Sequence, residues 1–258
     1  MEQLNIKEYF ESEKKKLREA CPRGPRLMII DPTPQDKGNQ LYVKNKLKDF
    51  AEMGWKATVI RVTTQKEYEE ALLEAQLTSD AIIVQRPAIA GITLHDDDVP
   101  CLMDADGLHP QALVLPATVR GIVDYLDDCG FRFEGHLAVV LGRSKIVGKP
   151  MADELLKRNM TVCTCHSWTA PKDVHLLTKH ADLIVSAVGK PAHFTRGVVH
   201  PDAIVIDVGI NYVDGKIVGD FIEVPELCWE GWSTPVPGGV GLLTRLGLMK
   251  NCVELMEL

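Results

Sequence analysis

Residues 142–150 of this 258-residue chain read GRSKIVGKP, and this stretch decides the fold. It follows the apolar run at 137–141 and precedes a helical pattern at 151–158, so the order is strand, glycine turn, helix. In such a turn, backbone N–H groups at the helix start face a phosphate, which the helix dipole also favours. The stretch predicts a Rossmann-like dinucleotide-binding domain. Ser144 replaces the middle glycine of the G-x-G-x-x-G pattern, so an ordinary strand-to-helix turn remains the alternative.

The next predicted strand, at 160–164, indicates which dinucleotide is bound. NAD-binding domains usually end this strand with an acidic residue that holds the ribose hydroxyls. Here the strand is followed by CHSWT, without a carboxylate. Arg143 offers a positive charge, and His166 and Ser167 offer hydrogen-bond donors that would attract a 2′-phosphate. We therefore predict NADP as the cofactor, with a solvated Arg143 as the alternative.

The composition excludes several classes of protein. A hydrophobic content of 45% and a charged content of 25% are ordinary for a soluble globular protein. The net charge of −7 argues against a nucleic-acid partner. No apolar run is long enough to cross a membrane, and the N-terminus lacks the pattern of a signal peptide. Seven scattered cysteines fit a cytoplasmic protein, and no Cys/His spacing predicts a metal site.

Helix and strand patterns alternate along the whole chain, which is typical of α/β folds with parallel sheets. Strand patterns occur at 26–30, 56–62, 81–85, 137–141, 160–164, 182–187 and 203–208. Helix patterns occur at 6–19, 38–53, 66–76, 121–128, 151–158 and 247–257. A domain boundary is expected at 115–118, in a proline-containing segment before a helix.

Five other segments form a constellation with GRSKIVGKP. They are YVKNK at 42–46, VQRP at 84–87, DADGLHP at 104–110, IDVGIN at 206–211 and TPVPGGVG at 234–241. From about residue 27 onward, the chain resembles the bifunctional methylenetetrahydrofolate dehydrogenase/cyclohydrolase family. The resemblance implies two α/β domains flanking a cleft. Residues 1–117, completed by a C-terminal helix at 242–258, would form the folate-binding catalytic domain, and residues 118–241 the NADP-binding, Rossmann-like domain.

The resemblance also assigns roles to residues of the folate site. Tyr42 and Lys46 are one helical turn apart and share a helix face. Tyr42 would stack on the aminobenzoate ring, Lys46 would reach the one-carbon unit, and Gln85 would orient Lys46. Asp106 would bind the pterin edge. The loop expected to close over the folate contains Pro237, Gly238 and Gly239.

The cofactor site is expected at the carboxyl ends of the strands in the second half, where open α/β sheets bind ligands. Gly189 and Gly209 follow the last two predicted strands there. The residues expected to contact NADP are Gly142, Arg143, Ser144, Gly148, His166, Ser167, Gly189, Gly209 and Ile210.

The implied activity is NADP-dependent oxidation of 5,10-methylenetetrahydrofolate, followed by hydrolysis of the methenyl product to 10-formyltetrahydrofolate. The family expectation is a homodimer that binds tetrahydrofolate derivatives. Arg86 and Arg120 depart from the family pattern. They either bind a glutamate tail, alter substrate preference, or are exposed and without effect. Two other functions remain open, namely a dehydrogenase-only relative and a catalytically silent folate- or nucleotide-binding regulator.

Overall fold

The computed structural model of the chain describes residue 3 and residues 5–191, 193–222 and 230–258. The chain forms two compact α/β units. The first unit contains residues 11–117 and 245–258. The second unit contains residues 118–244 together with the residues up to Phe10.

The division between the units follows residue 117, within the segment where the sequence predicts a boundary. The N-terminal residues differ from the prediction, which assigned residues 1–10 to the first domain. The residues up to Phe10 belong to the second unit. Tyr9 explains this, because its hydroxyl donates to Asp128 Oδ2 at 2.7 Å and its ring lies edge-on to Tyr125, with centroids 5.2 Å apart.

The chain up to residue 117 alternates helices with parallel strands. In order, the elements are α1 (Ile6–Ala20), β1 (Arg26–Asp31), α2 (Lys37–Met53), β2 (Lys56–Arg61), α3 (Gln65–Thr78) and β3 (Ala81–Val84). The strands form a parallel sheet in the order β2-β1-β3, with Ile30 of β1 opposite Ile60 and Val84. Because the strands are parallel, the groups that follow β1 and β3 lie at the same sheet edge.

Local signals in the sequence explain the bounds of α2. Asp36 caps the start of the helix, accepting a hydrogen bond from the Asn39 N–H at 2.6 Å. Gly54 ends it in the left-handed conformation, with φ of 73°. One face of the sheet packs on α3 in an apolar core of Met28, Ile30, Val62, Tyr68, Ala71, Leu72, Ala75, Ile82, Val84, Ile92 and Val99.

The second unit contains a five-stranded parallel sheet. The remaining elements are α4 (Ala117–Asp128), β4 (Leu137–Leu141), α5 (Gly148–Lys157), β5 (Thr161–Cys165), α6 (Pro171–Thr178), β6 (Leu183–Ser186), β7 (Phe194–Thr195), a 3-10 turn (Arg196–Val198), β8 (Ile204–Asp207), β9 (Asn211–Val213), β10 (Lys216–Val218), β11 (Phe221–Ile222), β12 (Trp232–Ser233) and α7 (Val240–Met256). The sheet order is β12-β8-β6-β4-β5. The order reverses between β4 and β6, and ligands of such sheets bind at the carboxyl ends beside this point.

The predicted strands and helices all occur, most of them with shifted ends. The helix α6 and the short strands β7 and β9 to β12 were not predicted. Each of those strands has two or three residues, too few to show an alternating pattern. Within the described residues, no helix is both long and apolar enough to span a membrane.

Close backbone packing between α4 and α7 leads to a stability prediction. A Cβ atom on Gly121 would lie 2.0 Å from the carbonyl oxygen of Leu243. Gly121→Ala is expected to destabilise the protein by about 1–3 kcal/mol, as overpacking does, although alanine favours helices. Urea unfolding measures this. Gly241→Ala is the matched control, because no atom lies within 4 Å of its added Cβ. Equal stabilities of the two variants would contradict the prediction.

Candidate functional site

The glycine turn brings strand β4 and helix α5 into close contact. Gly142 has φ of 115°, and a Cβ there would lie 2.6 Å from the Ala187 carbonyl oxygen. A Cβ on Gly148 would lie 2.3 Å from the Gly142 carbonyl oxygen. Both positions therefore require glycine, because any side chain would push the turn away from its neighbours.

Ser144 accepts hydrogen bonds from the backbone just before and at the start of α5. Its hydroxyl oxygen accepts hydrogen bonds from the N–H groups of Val147 at 3.2 Å and Gly148 at 3.3 Å. Its carbonyl oxygen accepts the N–H of Lys149 at 3.0 Å. The N–H groups of Val147, Gly148 and Lys149 therefore have partners inside the turn.

A cavity of about 680 Å³ lies beside the glycine turn. Its volume is in the usual range for small-molecule sites. The lining includes Gly142, Arg143, Cys165, His166, Ser167, Thr169, Val188, Lys190 and His193. The structure thus brings together three of the residues predicted to select NADP, and the basic side chains of Lys190 and His193 add to them. Of the other predicted contacts, Ser144, Gly148, Gly189, Gly209 and Ile210 are not among the lining residues.

This arrangement fits NADP. The turn at Gly142 has no room for a Cβ, and the adjoining cavity is lined by cationic side chains. Arg143 is exposed and His166 is partly exposed, so both can meet a charged ligand. Trp168, which is 84% exposed, lies next to them in the chain.

Asp220 organises the loops at the carboxyl ends of β6 and β8, and sequence reasoning missed it. Its buried carboxylate accepts N–H groups of Val188 at 2.8 Å and Gly189 at 3.2 Å. It also accepts the Ser186 hydroxyl at 2.9 Å and the Asn211 amide at 3.1 Å. These bonds explain why Gly189 and its neighbours hold a defined loop at the sheet edge. No strand or helix pattern marks Asp220, so its role depends on tertiary contacts.

Lys46 and Gln85 make direct contact in the first unit. Lys46 lies on α2, and its Nζ donates to Gln85 Oε1 at 2.5 Å. Gln85 follows β3, where its N–H donates to the Ile30 carbonyl at 2.9 Å. The predicted pairing of these two side chains is thus present in the geometry. Tyr42, one turn before Lys46, is 36% exposed.

The electrostatic environment shifts the pKa of Lys46 downward. Burial lowers the pKa of Lys46, and the negative charge of Asp106 opposes this only in part. Burial likewise raises the pKa of Asp106, against the positive charges of Lys46 and Arg86. Cys252 of α7 is fully buried beside them, and its pKa is also raised by burial. A lysine in such surroundings can act as a base.

Two buried side chains hold the loop that carries Asp106. Asp104 Oδ2 accepts the N–H groups of Leu108 at 2.5 Å and His109 at 2.7 Å. Asn251 of α7 donates to the carbonyl oxygens of Ala105 at 2.9 Å and Leu115 at 2.8 Å. The last helix of the chain therefore takes part in shaping this site.

The structure adds Asn39 and Asp31 to the predicted residues around Lys46. Gln85 Nε2 donates to Asn39 Oδ1 at 2.6 Å, and Asn39 Nδ2 donates to Asp31 Oδ1 at 2.8 Å. Helical spacing could have found Asn39, because it lies seven residues before Lys46 on the same face of α2. In the sequence, Asp31 is recognisable only as a polar residue at the end of a strand.

The remaining predicted residues are elsewhere. Pro237, Gly238 and Gly239 precede α7 in the second unit, and the Val236–Pro237 bond is cis. Arg86 pairs with Asp96 at 3.0 Å, and its charge acts on Asp106. Arg120 pairs with Asp124 at 3.2 Å in the second unit. Arg86 is thus the departure from the family pattern that affects the Lys46 site.

The parallel sheet with its glycine turn and cationic cavity defines an α/β protein of the dinucleotide-binding class. Comparison with known proteins gives the family. Residues 116–258 match the model described as "Tetrahydrofolate dehydrogenase/cyclohydrolase, NAD(P)-binding domain". The bifunctional protein FolD of Exiguobacterium sibiricum is 36% identical over 279 aligned positions, which cover 97% of this chain and 98% of the relative. The chain belongs to the bifunctional methylenetetrahydrofolate dehydrogenase/cyclohydrolase family, FolD.

Solved structures agree with this assignment. The bifunctional FolD of Campylobacter jejuni superposes with a TM-score of 0.89 at 32% identity, covering 98% of this chain and 97% of that one. The enzyme from Trypanosoma brucei, in complex with NADP and an inhibitor, superposes with a TM-score of 0.90 at 27% identity. That match covers 98% of this chain and 96% of the other.

Proposed function

We propose that this chain catalyses two successive reactions of one-carbon metabolism. It oxidises 5,10-methylenetetrahydrofolate to the 5,10-methenyl compound with NADP, and it hydrolyses the methenyl compound to 10-formyltetrahydrofolate. The observation that carries the proposal is the contact between Lys46 and Gln85 in the first unit. It is found in a chain that belongs to the FolD family. A silent binding protein would not need a desolvated lysine held in this way.

Residues of the second unit bind the cofactor in this proposal. Arg143, His166 and Ser167 would hold the 2′-phosphate, and Gly142 would allow close approach of the dinucleotide. The chemistry that bound NADP supplies is acceptance of a hydride from the methylene carbon. The contribution of the protein to this step is to hold the two reacting groups in contact.

Residues of the first unit bind folate and promote hydrolysis. Asp106 would accept hydrogen bonds from the amino-pyrimidine edge of the pterin, and Tyr42 would stack on the aminobenzoate ring. Neutral Lys46 would take a proton from the water that attacks the methenyl carbon.

A spectrophotometric assay tests the proposed function. The protein is mixed with 5,10-methylenetetrahydrofolate and either NADP or NAD, and methenyl absorbance is followed. Methenyl formation with NADP, followed by decay faster than in buffer, is the expected result. Stable accumulation of the methenyl compound would mean a dehydrogenase only. Absence of any turnover with both cofactors would contradict the proposal.

Asp106→Ala is expected to weaken folate use in both reactions and to leave NADP affinity within about twofold of wild type. A hydrogen bond from a neutral donor to a charged group contributes roughly 1.5–3 kcal/mol, so kcat/KM for folate should fall about 10- to 100-fold. Steady-state kinetics with each substrate varied provide the measurement. Loss of NADP affinity with intact folate use would show that Asp106 belongs to the cofactor site and does not bind folate.

We also propose a homodimer in the cytoplasm. The second unit exposes apolar side chains at Ile210, Tyr212, Val213 and Ile222, which a partner subunit could cover. The six cysteines in the described part of the chain are free thiols, as suits a reducing compartment. Sedimentation equilibrium would test the dimer.

A further inference from the structure

A chain of hydrogen bonds links Lys46 to a buried carboxylate. Lys46 Nζ donates to Gln85 Oε1 at 2.5 Å, and Gln85 Nε2 donates to Asn39 Oδ1 at 2.6 Å. Asn39 Nδ2 then donates to Asp31 Oδ1 at 2.8 Å and also to the Thr33 hydroxyl. This chain of hydrogen bonds joins α2 to the carboxyl ends of β1 and β3.

The three residues that follow Lys46 in this series of hydrogen bonds are almost completely buried. Asp31 is 1% exposed, and Asn39 and Gln85 are each 8% exposed. The side-chain hydrogen bonds of Asp31 all reach Oδ1, and its buried Oδ2 has no hydrogen-bond partner among the described residues. A buried carboxylate with an unpartnered oxygen costs folding free energy. Asp31 is therefore poorly explained as a residue that only stabilises the fold.

The carboxylate gives the hydrogen-bond chain a single direction. An ionised carboxylate only accepts hydrogen bonds, whereas an amide has a donating and an accepting end. Asn39 must therefore turn its NH₂ group to Asp31 and its oxygen to Gln85. Gln85 in turn donates its NH₂ group to Asn39 and has its oxygen left for Lys46. If both amides rotated by half a turn, the Asn39 oxygen would face the carboxylate, and two acceptors would be in contact.

This direction matters when Lys46 is neutral, because a neutral amine has one lone pair. An NH₂ group from Gln85 would donate to that lone pair and occupy it. The Gln85 oxygen instead accepts an N–H of Lys46 and leaves the lone pair open. We propose that Asp31, acting through Asn39, is a positioning residue that holds the Gln85 oxygen against Lys46 and keeps its lone pair available for water. This inference rests on the proposed hydrolytic function.

Two variants whose new side chains have nearly the same size and shape as the original ones test the inference. Asp31→Asn keeps the size of the side chain but can turn an NH₂ group toward Asn39 by giving up the bond from the Thr33 N–H, so the reversed orientation of the amides becomes accessible. The double variant Asp31→Asn with Asn39→Asp moves the carboxylate next to Gln85, where it accepts the Gln85 NH₂ group and restores the direction. At high pH, where Lys46 is neutral, hydrolysis by Asp31→Asn should fall about two- to tenfold, the size of one ordinary hydrogen bond. The double variant should return to within about twofold of wild type.

Asp49→Asn is the matched control, since it also removes a buried carboxylate from the neighbourhood of α2. Asp49 pairs with Arg245 and takes no part in the amide chain. Asp106 and Cys252, which act on Lys46, are unchanged in every variant, and a pH profile of each variant measures any effect of the carboxylate at position 39 on the pKa of Lys46. Thermal unfolding measures the stability cost of each substitution. A fall in hydrolysis with Asp49→Asn equal to that with Asp31→Asn would overturn the inference.

Side-chain amide NMR tests the positioning without any folate chemistry. The Gln85 NH₂ signal, assigned by its loss in Gln85→Met, should exchange slowly in wild type, faster in Asp31→Asn and slowly again in the double variant. Unchanged exchange in Asp31→Asn, or a double variant that hydrolyses no faster than Asp31→Asn, would overturn the inference. Slow exchange in a wild-type protein without hydrolysis would instead reject the proposed function and leave the amide direction standing.

Discussion

Replacing Lys46 with methionine is expected to lower the hydrolysis of methenyltetrahydrofolate to near its uncatalysed rate. General-base help is typically worth about 10²–10⁴-fold, and methionine keeps the length of the side chain without its amine. Oxidation of methylenetetrahydrofolate needs no base from the protein, so this activity should remain measurable. Its rate should still fall, because Lys46 lies in the proposed folate site. Two assays on the same preparation, one for each reaction, measure the separation of the two activities.

The pH dependence of hydrolysis gives a second readout for Lys46. A base acts in its neutral form, so the wild-type rate should rise with pH and level off once Lys46 is deprotonated. Because burial lowers the pKa of Lys46, the midpoint should lie below the value of about 10.4 for a free lysine. The methionine variant should lose this rise. Lys48→Met is the matched control, because Lys48 is exposed on the same helix.

A folded Lys46→Met protein that hydrolyses the methenyl compound at the wild-type rate would show that Lys46 is not the base. Circular dichroism and NADP binding would establish that the variant is folded. Equal losses with Lys46→Met and Lys48→Met would point instead to damage of α2.

Replacing Arg143 with alanine is expected to remove most of the preference for NADP over NAD. A charge-assisted contact with the 2′-phosphate contributes roughly 1.5–3 kcal/mol, so kcat/KM for NADP should fall about 10- to 100-fold. NAD lacks this phosphate, so its kcat/KM should change little. The measurement is kcat/KM for both cofactors in wild type and variant.

Lys149→Ala is the control for Arg143, since Lys149 is a nearby exposed cation, in the first turn of α5, that does not line the cavity. Its substitution should leave the cofactor preference intact. Equal use of NAD and NADP by the wild type would refute the role of Arg143 in selecting the cofactor. An equal fall with both cofactors in Arg143→Ala would mean that Arg143 supports the turn rather than the phosphate.

Much of the fold could be predicted because its strands are continuous apolar runs separated by helical patterns. The strand at 137–141 is predicted with its observed bounds, since GRSKIVGKP marks its end. The helix α6 was missed because it has only eight residues, preceded by an irregular CHSWT loop. The N-terminal residues were misassigned because the contact between Tyr9 and Asp128 joins positions far apart in sequence.

The site was predictable where chemistry follows a local pattern. The one-turn spacing of Tyr42 and Lys46 and the strand end at Gln85 are visible in the sequence. The hydrogen bonds of Ser144 could not be predicted, because a serine in a glycine turn can face either the helix or a ligand. Asp31 and Asp220 were hidden for a different reason. Each acts through partners brought together by folding, and a lone acidic residue in a loop carries no signal of that.

The end of α7 has a consequence for synthesis of the chain on the ribosome. Asn251 and Cys252 contribute to the unit that contains residues 11–117. Domains usually fold in the order in which they are translated. Here residues 118–244 have all been translated before Asn251 can close the loop carrying Asp106. The site that begins earliest in translation is thus completed last, and a nascent chain stalled before residue 251 would display Lys46 without its finished surroundings.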